Sequence, residues 1–467
     1  VKDIETKRVL LLGLGGRGRA ACDLLLRNGA QVTAVDPHDT PALREETARL
    51  RQRGIELHLG SSRLPPGDFD FCVLSPAVPT RSPLVLEALQ RGLRLVGELE
   101  LAYQHIRCLA LAVTGTNGKG SVAELIERIL VHENRRLVVA GQRAQPVCDV
   151  VERTADADYL VLQVNAFQLE VVEHFRPVVA VLTNLTPDHL DRYGSMEQYV
   201  RATARVFAQQ QSFDWAIVQR PALERIRGFE VGLPSKVVTF SAHDPEADLY
   251  LDRSLIVSRL PNWPGPLLDM DQCKVQGPHN AENFMAALAV GRALRVPLEH
   301  MVPVLKAVEP ARHRFEWVAE VRGVQYVNDS KATNPHALEM ALNAVRPGRE
   351  GQPNIWLLAG GRDKGADYHS VGALVGRRVK GAFLFGEGRE KLQAAWGLFT
   401  PCTAVSSLLE AVAEAAKRAT CGDVVLLSPA CSCFDQFRDY QHRGDTFCSA
   451  VKSICGGAEA AHPNMHG

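Results

Sequence analysis

Short apolar runs alternate with helical patterns along most of the chain. Val9–Leu12, Gln31–Val35, Ile55–Leu59, Phe71–Leu74 and Arg94–Val96 are strand-sized, and helical stretches such as Ala20–Asn28 and Thr40–Arg53 lie between several of them. That alternation predicts a parallel sheet covered by helices. It resumes at Leu109–Val113, Leu137–Ala140, Tyr159–Val164, Val178–Thr183 and Trp215–Val218. The proline-rich stretch 233–278 reads as more irregular, with helices expected over Ala281–Leu294 and near 298–308. From about Pro310 a hairpin, Phe315–Val321 and Val324–Asn328, leads into strands Ile355–Ala359, Gly381–Phe385 and Val424–Ser428 with helices between them. The pattern predicts an α/β chain of three domains: 1–107, 108–309 and 310–455. The small, polar, aperiodic tail 456–467 is expected to be mobile.

Composition narrows the class without changing this division. A chain of 467 residues is too long for one ordinary core. Hydrophobic residues at 46% and charged residues at 23% suit a soluble globular protein. A formal net charge of +0 gives no basic surface for nucleic acid. The apolar runs fall short of the roughly 18 residues a membrane span requires, so no membrane insertion is expected. The N-terminus passes from charged residues into a short strand at Val9–Leu12, unlike a signal peptide. The 11 cysteines are scattered and read as reduced thiols, which fits a cytoplasmic protein. Cys431 and Cys433 have CxC spacing but no second cysteine pair nearby to complete a zinc site.

Two glycine loops carry the first chemistry. Gly13-Leu-Gly15-Gly16-Arg17-Gly18 follows a strand and opens a helix, and Asp36 ends the next strand. Such a loop lets a pyrophosphate approach backbone N–H groups at a helix N-terminus. A nucleotide diphosphate, a nicotinamide cofactor or simple close packing would each account for it. The second loop, Thr114-Gly115-Thr116-Asn117-Gly118-Lys119-Gly120-Ser121, lies between the strand Leu109–Val113 and a helical pattern over Val122–Leu130. Glycines expose amides there and Lys119 adds a positive charge for the β- and γ-phosphates of ATP. In the usual pattern Ser or Thr directly follows the lysine to hold magnesium; here Gly120 intervenes before Ser121. Two unlike phosphate loops suggest two phosphorylated ligands, whereas a hydride-transfer enzyme needs only the first.

Further motifs follow in order. They are Phe167-Gln-Leu-Glu170, Asn184-Leu-Thr-Pro-Asp-His189, Gly277-Pro-His-Asn280-Ala-Glu-Asn283 and Arg312-His-Arg314-Phe. Then come Asn328-Asp329-Ser-Lys331-Ala-Thr333-Asn334, Gly360-Gly361-Arg-Asp-Lys364 and Ser428-Pro-Ala-Cys431-Ser-Cys433-Phe434-Asp-Gln-Phe437. Together with the second glycine loop, they resemble the Mur ligase family over about residues 8–452. A folate-type ligase shares the Gly-Thr-Asn-Gly-Lys-Gly-Ser loop but not the C-terminal segments.

The resemblance is strongest to the member that adds D-glutamate to UDP-N-acetylmuramoyl-L-alanine with ATP and Mg2+, in peptidoglycan precursor synthesis. It implies a Rossmann-like N-terminal domain, a central P-loop ATPase-like domain, a C-terminal Rossmann-like domain and a monomer. It further implies that Gly115, Thr116, Asn117, Gly118, Lys119, Gly120 and Ser121 hold ATP phosphates. Asn280 and Asn283 would face the adenine, Asp329 the ribose, and Arg314 the phosphates. Gly15, Gly16, Arg17, Gly18, Asp36 and Gln142 would hold the UDP-linked substrate. Lys331, Thr333, Lys364, Cys433 and Phe434 would serve the amino acid and reacting groups, with Lys119, His189, Lys331 and Lys364 as the catalytic set. Ser121, Gln163 and His189 would be the metal positions.

Some positions depart from the family pattern. Gln163 stands where the family has a magnesium-binding glutamate, and Thr203 where it has a carbamylated lysine. Gly16-Arg17 replaces an apolar-threonine pair, Gln142 of Gly141-Gln142-Arg143 replaces an asparagine, and Cys433 replaces a serine. The thiol is a weaker donor than a hydroxyl. The alternative to a working D-glutamate ligase is a divergent paralogue with another acceptor, or with nucleotide binding and little catalysis.

Overall fold

The computed structural model describes residues 4–142 and 145–459. Arg143 and residues 460–467 of the expected tail lie outside the described residues. The last helix, Tyr440–Glu459, runs past residue 456, where the tail was expected to begin. The chain divides into two compact units. One comprises Val1–Leu185 with Ser195–Val308, the other Thr186–Gly194 with Glu309–Gly467.

The first unit holds two sheets. Strands β1 (Arg8–Leu12), β2 (Gln31–Asp36), β3 (Glu56–Leu59), β4 (Phe71–Leu74) and β5 (Leu95–Gly97) form a parallel sheet in the order β3-β2-β1-β4-β5. All five strands lie where the apolar runs predicted them, to within a residue or two. Their faces alternate with helices because Val, Leu and Phe on both sides of each strand must be covered. Strand β1 sits between β2 and β4, so the loop after it opens at the point where strand order reverses, a crevice suited to ligands.

The second sheet contains β6 (Leu109–Thr114), β7 (Leu137–Gly141), β8 (Tyr159–Gln163), β9 (Val179–Leu182) and β10 (Trp215–Gln219). It continues with β11 (Lys236–Ser241), β12 (Leu249–Asp252), β13 (Leu255–Ser258) and β14 (Gly265–Asp269). The order is β14-β13-β12-β11-β10-β9-β6-β8-β7, parallel except for the last two pairings, β12–β13 and β13–β14. The expectation of an irregular stretch over 233–278 is therefore corrected: it supplies four strands that extend the central sheet. Prolines 245, 261, 264 and 266 mask the pattern, since they fall mainly in the turns and at the edge strand β14, where a missing N–H is tolerated. The helix Lys119–His132 buries Val122, Leu125, Ile126 and Ile129 against Leu111, Val113, Val161 and Val181 of the sheet and against Phe284, Met285 and Leu288 of helix Pro278–Ala293. Each such side chain contributes about 1.5–3 kcal/mol, so this layer anchors the glycine loop that precedes the helix.

The second unit is built on β15 (Glu316–Val321), β16 (Val324–Asn328), β17 (Ile355–Gly360), β18 (Val379–Phe385), β19 (Cys402–Ala404) and β20 (Val424–Ala430). Their order is β15-β16-β20-β17-β18-β19, with β15–β16 the predicted antiparallel hairpin and the other pairs parallel. Apolar clusters cover both faces. Strands β16, β20 and β17 are neighbours, so the three loops at their C-terminal ends lie side by side. Those loops carry Asp329-Ser-Lys331, Cys431-Ser-Cys433 and Gly361-Arg-Asp-Lys364.

Candidate active site

The loop 114–121 has its shape imposed from strand β9. Thr116 N donates to Asn184 O (3.0 Å), Asn117 N donates to Asn184 Oδ1 (2.8 Å), and Asn184 Nδ2 donates to Asn117 O (3.1 Å). Thr183 Oγ1 donates to Asn117 O (2.5 Å). Gly115 has φ +128, and a Cβ there would meet Thr183 Oγ1 at 2.3 Å. Gly118 caps helix Lys119–His132 with φ +84, and a Cβ would meet Asn283 Oδ1 at 2.6 Å. Asn280 and Asn283 stand on the first two turns of helix Pro278–Ala293, with Asn280 tied back to Gln276 O (2.8 Å). Thus Gly118 and Asn283, far apart in sequence, meet at the loop 114–121.

Lys119 bends over the loop, donating from Nζ to Gly115 O (2.6 Å) and Thr116 O (2.9 Å). These carbonyls hold the ammonium beside the amides that would cradle phosphate. Gly120 and Ser121 form the first turn of the same helix. Thr116 Oγ1 meets Tyr199 Oη at 3.0 Å. One turn along helix Met196–Ala204, Thr203 is buried and its hydroxyl donates to Tyr199 O (2.8 Å).

Of the residues expected to hold the UDP-linked substrate, Arg17 and Gln142 meet the central sheet at the end of β7. Arg17 Nη2 donates to Gly141 O at 3.3 Å. Gln142 N donates to Gln163 O (2.7 Å), and the two glutamine side chains meet at 3.5 Å. Gly141, at φ +116, allows this crossing, because a Cβ would lie 2.1 Å from Gln163 O. Gly18 packs against β1's end, where a Cβ would lie 1.8 Å from Gly13 O, while Gly15 and Gly16 face open space. Asp36 accepts from Leu14 N (2.7 Å) and His38 N (2.9 Å), so its carboxylate holds the first loop in shape.

The metal positions split. Ser121 and Gln163 belong to the first unit and His189 to the second. Among the described residues there is no group of three or more His, Cys, Asp or Glu able to hold a metal. Gln163 offers a neutral amide and Thr203 a hydroxyl already donated to the backbone, so neither gives the anionic oxygen that hard cations favour. These residues fit a magnesium ion whose negative ligands come from nucleotide phosphates, and they do not fit one that must be held by a glutamate and a carbamate.

In the second unit, His189 has φ +54 and precedes the short helix Leu190–Tyr193. Asp188 Oδ1 accepts its backbone N–H (2.9 Å) and lies 3.7 Å from Lys364 Nζ. His189 and Lys364 are thereby brought together through Asp188, for which the sequence motif alone gives no role.

Asp329 N donates to Leu427 O (2.7 Å), while its carboxylate accepts from Phe315 N (3.2 Å) and Ser428 Oγ (3.2 Å). Part of its surface stays open, but the carboxylate lies deep among protein atoms, and burial pushes its pKa up to about 7. Arg314 lies between His313 (φ +62) and Phe315 (φ +49), two non-glycine residues held in the left-handed region. Such strain persists only where surrounding structure enforces it. Here buried Asn328 lies 2.9 Å from His313 Nδ1, and Phe315 N is held by Asp329.

Lys331 carries an unsatisfied ammonium. Its Nζ is buried and makes no hydrogen bond, lying 4.4 Å over the Tyr440 ring. An ammonium so placed is costly unless a ligand completes it. Thr333 lies in the turn before helix Pro335–Ala344. Cys433 is buried, which raises its thiol pKa, and the neighbouring Phe434 is exposed. The described cysteines are free thiols. The sequence reading missed Asn184, Tyr199, Asn328 and Arg443 as shaping residues. Asn184 and Asn328 lie inside recognised segments, but only contacts reveal what they hold.

Comparison with known proteins identifies the family. Family models match residues 113–291 as the Mur ligase middle domain and 313–431 as the Mur ligase, glutamate ligase domain. A UDP-N-acetylmuramoylalanine–D-glutamate ligase of Acidobacterium capsulatum is 36% identical over 98% of each chain. Among solved structures, a pseudomurein peptide ligase type C from Methanothermus fervidus covers 96% of this chain and 100% of its own, with TM-score 0.60 and 14% identity. MurF from Thermotoga maritima, in complex with ADP, covers 97% of both chains with TM-score 0.57 and 16% identity. With both Mur ligase domains matched in order and a D-glutamate ligase 36% identical over nearly the whole chain, the chain belongs to the Mur ligase family.

Proposed function

We propose that the chain is an ATP-dependent carbon–nitrogen ligase that joins D-glutamate to UDP-N-acetylmuramoyl-L-alanine in peptidoglycan precursor synthesis. The observation that carries this reading is the near full-length likeness to a D-glutamate ligase, combined with retention of Lys119, His189, Asp329, Lys331 and Lys364. On this reading residues 1–107 bind the UDP-linked substrate, 108–309 bind ATP, and 310–455 bind the amino acid. The protein acts in the cytoplasm as a monomer and uses Mg2+ carried on ATP.

The substrate carboxylate attacks the γ-phosphorus of ATP, giving an acyl phosphate and ADP. The D-glutamate amine then attacks the acyl carbon, and the tetrahedral intermediate expels phosphate. Two anions must first be brought together, and fixed positive charge offsets their repulsion. Lys119 exchanges its two carbonyl partners for phosphate oxygens. Asn280 and Asn283 receive the adenine, Asp329 the ribose, and Arg314 the phosphate side. Lys331 gains in the loaded site the anionic partner its buried ammonium lacks. Lys364, steered by Asp188, and Thr333, Cys433 and Phe434 orient the amino acid. When bound, magnesium would neutralise developing charge on the phosphates, with Ser121 and Gln163 as neutral oxygen ligands and His189 as a nitrogen ligand.

The test is phosphate release with ATP, magnesium, UDP-N-acetylmuramoyl-L-alanine and D-glutamate. Release should need both substrates and should fall at least about 100-fold in Lys119→Ala, as for loss of a charge-stabilising contact. The neutral side chains of Gln163 and Thr203 favour one second reading, a paralogue that binds nucleotide without turning it over. ATP binding with no phosphate release from any acceptor would select it.

A further inference from the structure

Arg443 is fully buried, with 0% exposure, and among the described residues it has no carboxylate within ion-pair distance. It stands in helix Tyr440–Glu459 and reaches the C-terminal ends of three neighbouring strands. Its Nε donates to Ser330 Oγ (3.1 Å) and its Nη2 to Ser330 O (2.7 Å). Its Nη1 donates to Cys431 O (3.2 Å) and, at a longer 3.5 Å, to Gly360 O. Ser330 directly precedes Lys331, Gly360 opens the segment ending in Lys364, and Cys431 stands two residues before Cys433.

The packing leaves no slack around this guanidinium. Ser330 Oγ also donates to Tyr440 O (2.8 Å), closing the helix onto the first loop. A Cβ on Gly361 would come within 3.3 Å of Arg443 Nη1 and 2.0 Å of Ser432 O. Carbonyl dipoles compensate the charge at hydrogen-bond distance, with Asp435 and Asp329 acting on it from farther away, and burial still lowers its pKa to about 10. Only a planar fork of donors reaches three loops at once, which a lysine cannot do.

We propose that Arg443 is a positioning residue that fixes the mutual spacing of the loops bearing Lys331, Lys364 and Cys433, and whose unpaired positive charge favours an acidic acceptor amino acid there. This rests on the D-glutamate ligase reading for the acceptor but not for the spacing. Two measurements separate the parts. The first is steady-state kinetics of Arg443→Lys and Ser330→Ala. Arg443→Lys should raise KM for D-glutamate about tenfold or more, as expected for losing charge-assisted hydrogen bonds, while KM for ATP stays within about twofold. Ser330→Ala should shift the same parameter in the same direction by less, and it decides the matter if Arg443→Lys does not fold. Equal rises in both KM values, or an unchanged D-glutamate KM, would overturn the acceptor role.

The second measurement is amide hydrogen exchange of the unliganded protein. In Arg443→Lys or Ser330→Ala, segments 329–334, 360–364 and 430–434 should lose protection together while strands β16, β17 and β20 keep theirs. Loosening confined to helix Tyr440–Glu459 would refute the spacing role. That readout stands even if the wild-type protein releases no phosphate with D-glutamate, a result that would defeat the parent reading instead.

Discussion

Gly118→Ala tests whether the glycine loop 114–121 and Asn283, proposed to hold ATP, are one mechanical unit. The residue sits at φ +84 and ψ −18, where an alanine costs about 1–2 kcal/mol. The new Cβ would also stand 2.6 Å from Asn283 Oδ1. That atom ends a flexible side chain, so Asn283 should swing aside at an off-rotamer cost of about 0.5–1.5 kcal/mol. The two terms predict a loss of stability of about 1.5–3.5 kcal/mol. Nucleotide affinity should fall too, by the worth of one displaced hydrogen bond, about 0.5–1.5 kcal/mol or roughly 2- to 10-fold. Denaturant titration and ATP binding by calorimetry measure the two quantities. The informative experiment is the double-mutant cycle with Asn283→Ala, whose shortened side chain no longer meets the new Cβ. Gly118→Ala should then cost less in the Asn283→Ala background, with a coupling of about 0.5 kcal/mol or more in stability. Additive effects would mean that the two residues do not press on each other and that the loop is shaped independently of helix Pro278–Ala293.

Lys331→Met keeps the side-chain length and removes a buried ammonium that makes no hydrogen bond, so stability should hold or rise by about 1 kcal/mol while phosphate release collapses; lowered stability in thermal melts would refute the account of its Nζ. Asp329 has a folded pKa of about 7, above the ordinary carboxylate value of about 3.9. The folded state therefore keeps a proton that the unfolded chain has already lost, and this group's contribution makes stability fall as pH rises from about 4 to about 7. Asp329→Asn should gain stability relative to wild type by about 1–3 kcal/mol between pH 5 and pH 8, and a pH-independent difference in chemical denaturation would contradict the burial of that carboxylate. Gln163→Glu adds an anionic oxygen beside the phosphate loop and should strengthen Mn2+ binding to the nucleotide-free protein about tenfold or more, read by electron paramagnetic resonance; an unchanged affinity would remove Gln163 from the metal positions.

Much of the fold was legible because its parallel strands are buried on both faces and read as short apolar runs, from Val9–Leu12 to Val424–Ser428. The stretch 233–278 was not, because its strands are short and interrupted by proline, and the two beyond β12 pair antiparallel. The phosphate loop and its lysine could be read locally. Its dependence on Asn184, and the meeting of Gly118 with Asn283, are long-range contacts that no spacing encodes. His189 and Lys364 were both singled out, but the carboxylate between them, Asp188, shows its part only as a distance. Arg443 sits in an ordinary helical segment, and nothing in the sequence announces a guanidinium buried among three loops.

The ties from Asn184 to Thr116 and Asn117 also bear on the order in which the protein becomes competent as it is made. Strand β6 and its helix leave the ribosome well before β9. Until Thr183 and Asn184 emerge and β9 adds beside β6, the loop lacks the partners that turn its amides inward. A nascent chain ending before residue 184 should therefore form much of the surrounding secondary structure yet bind no nucleotide, and ATP should become able to stabilise the growing protein only after that strand has docked.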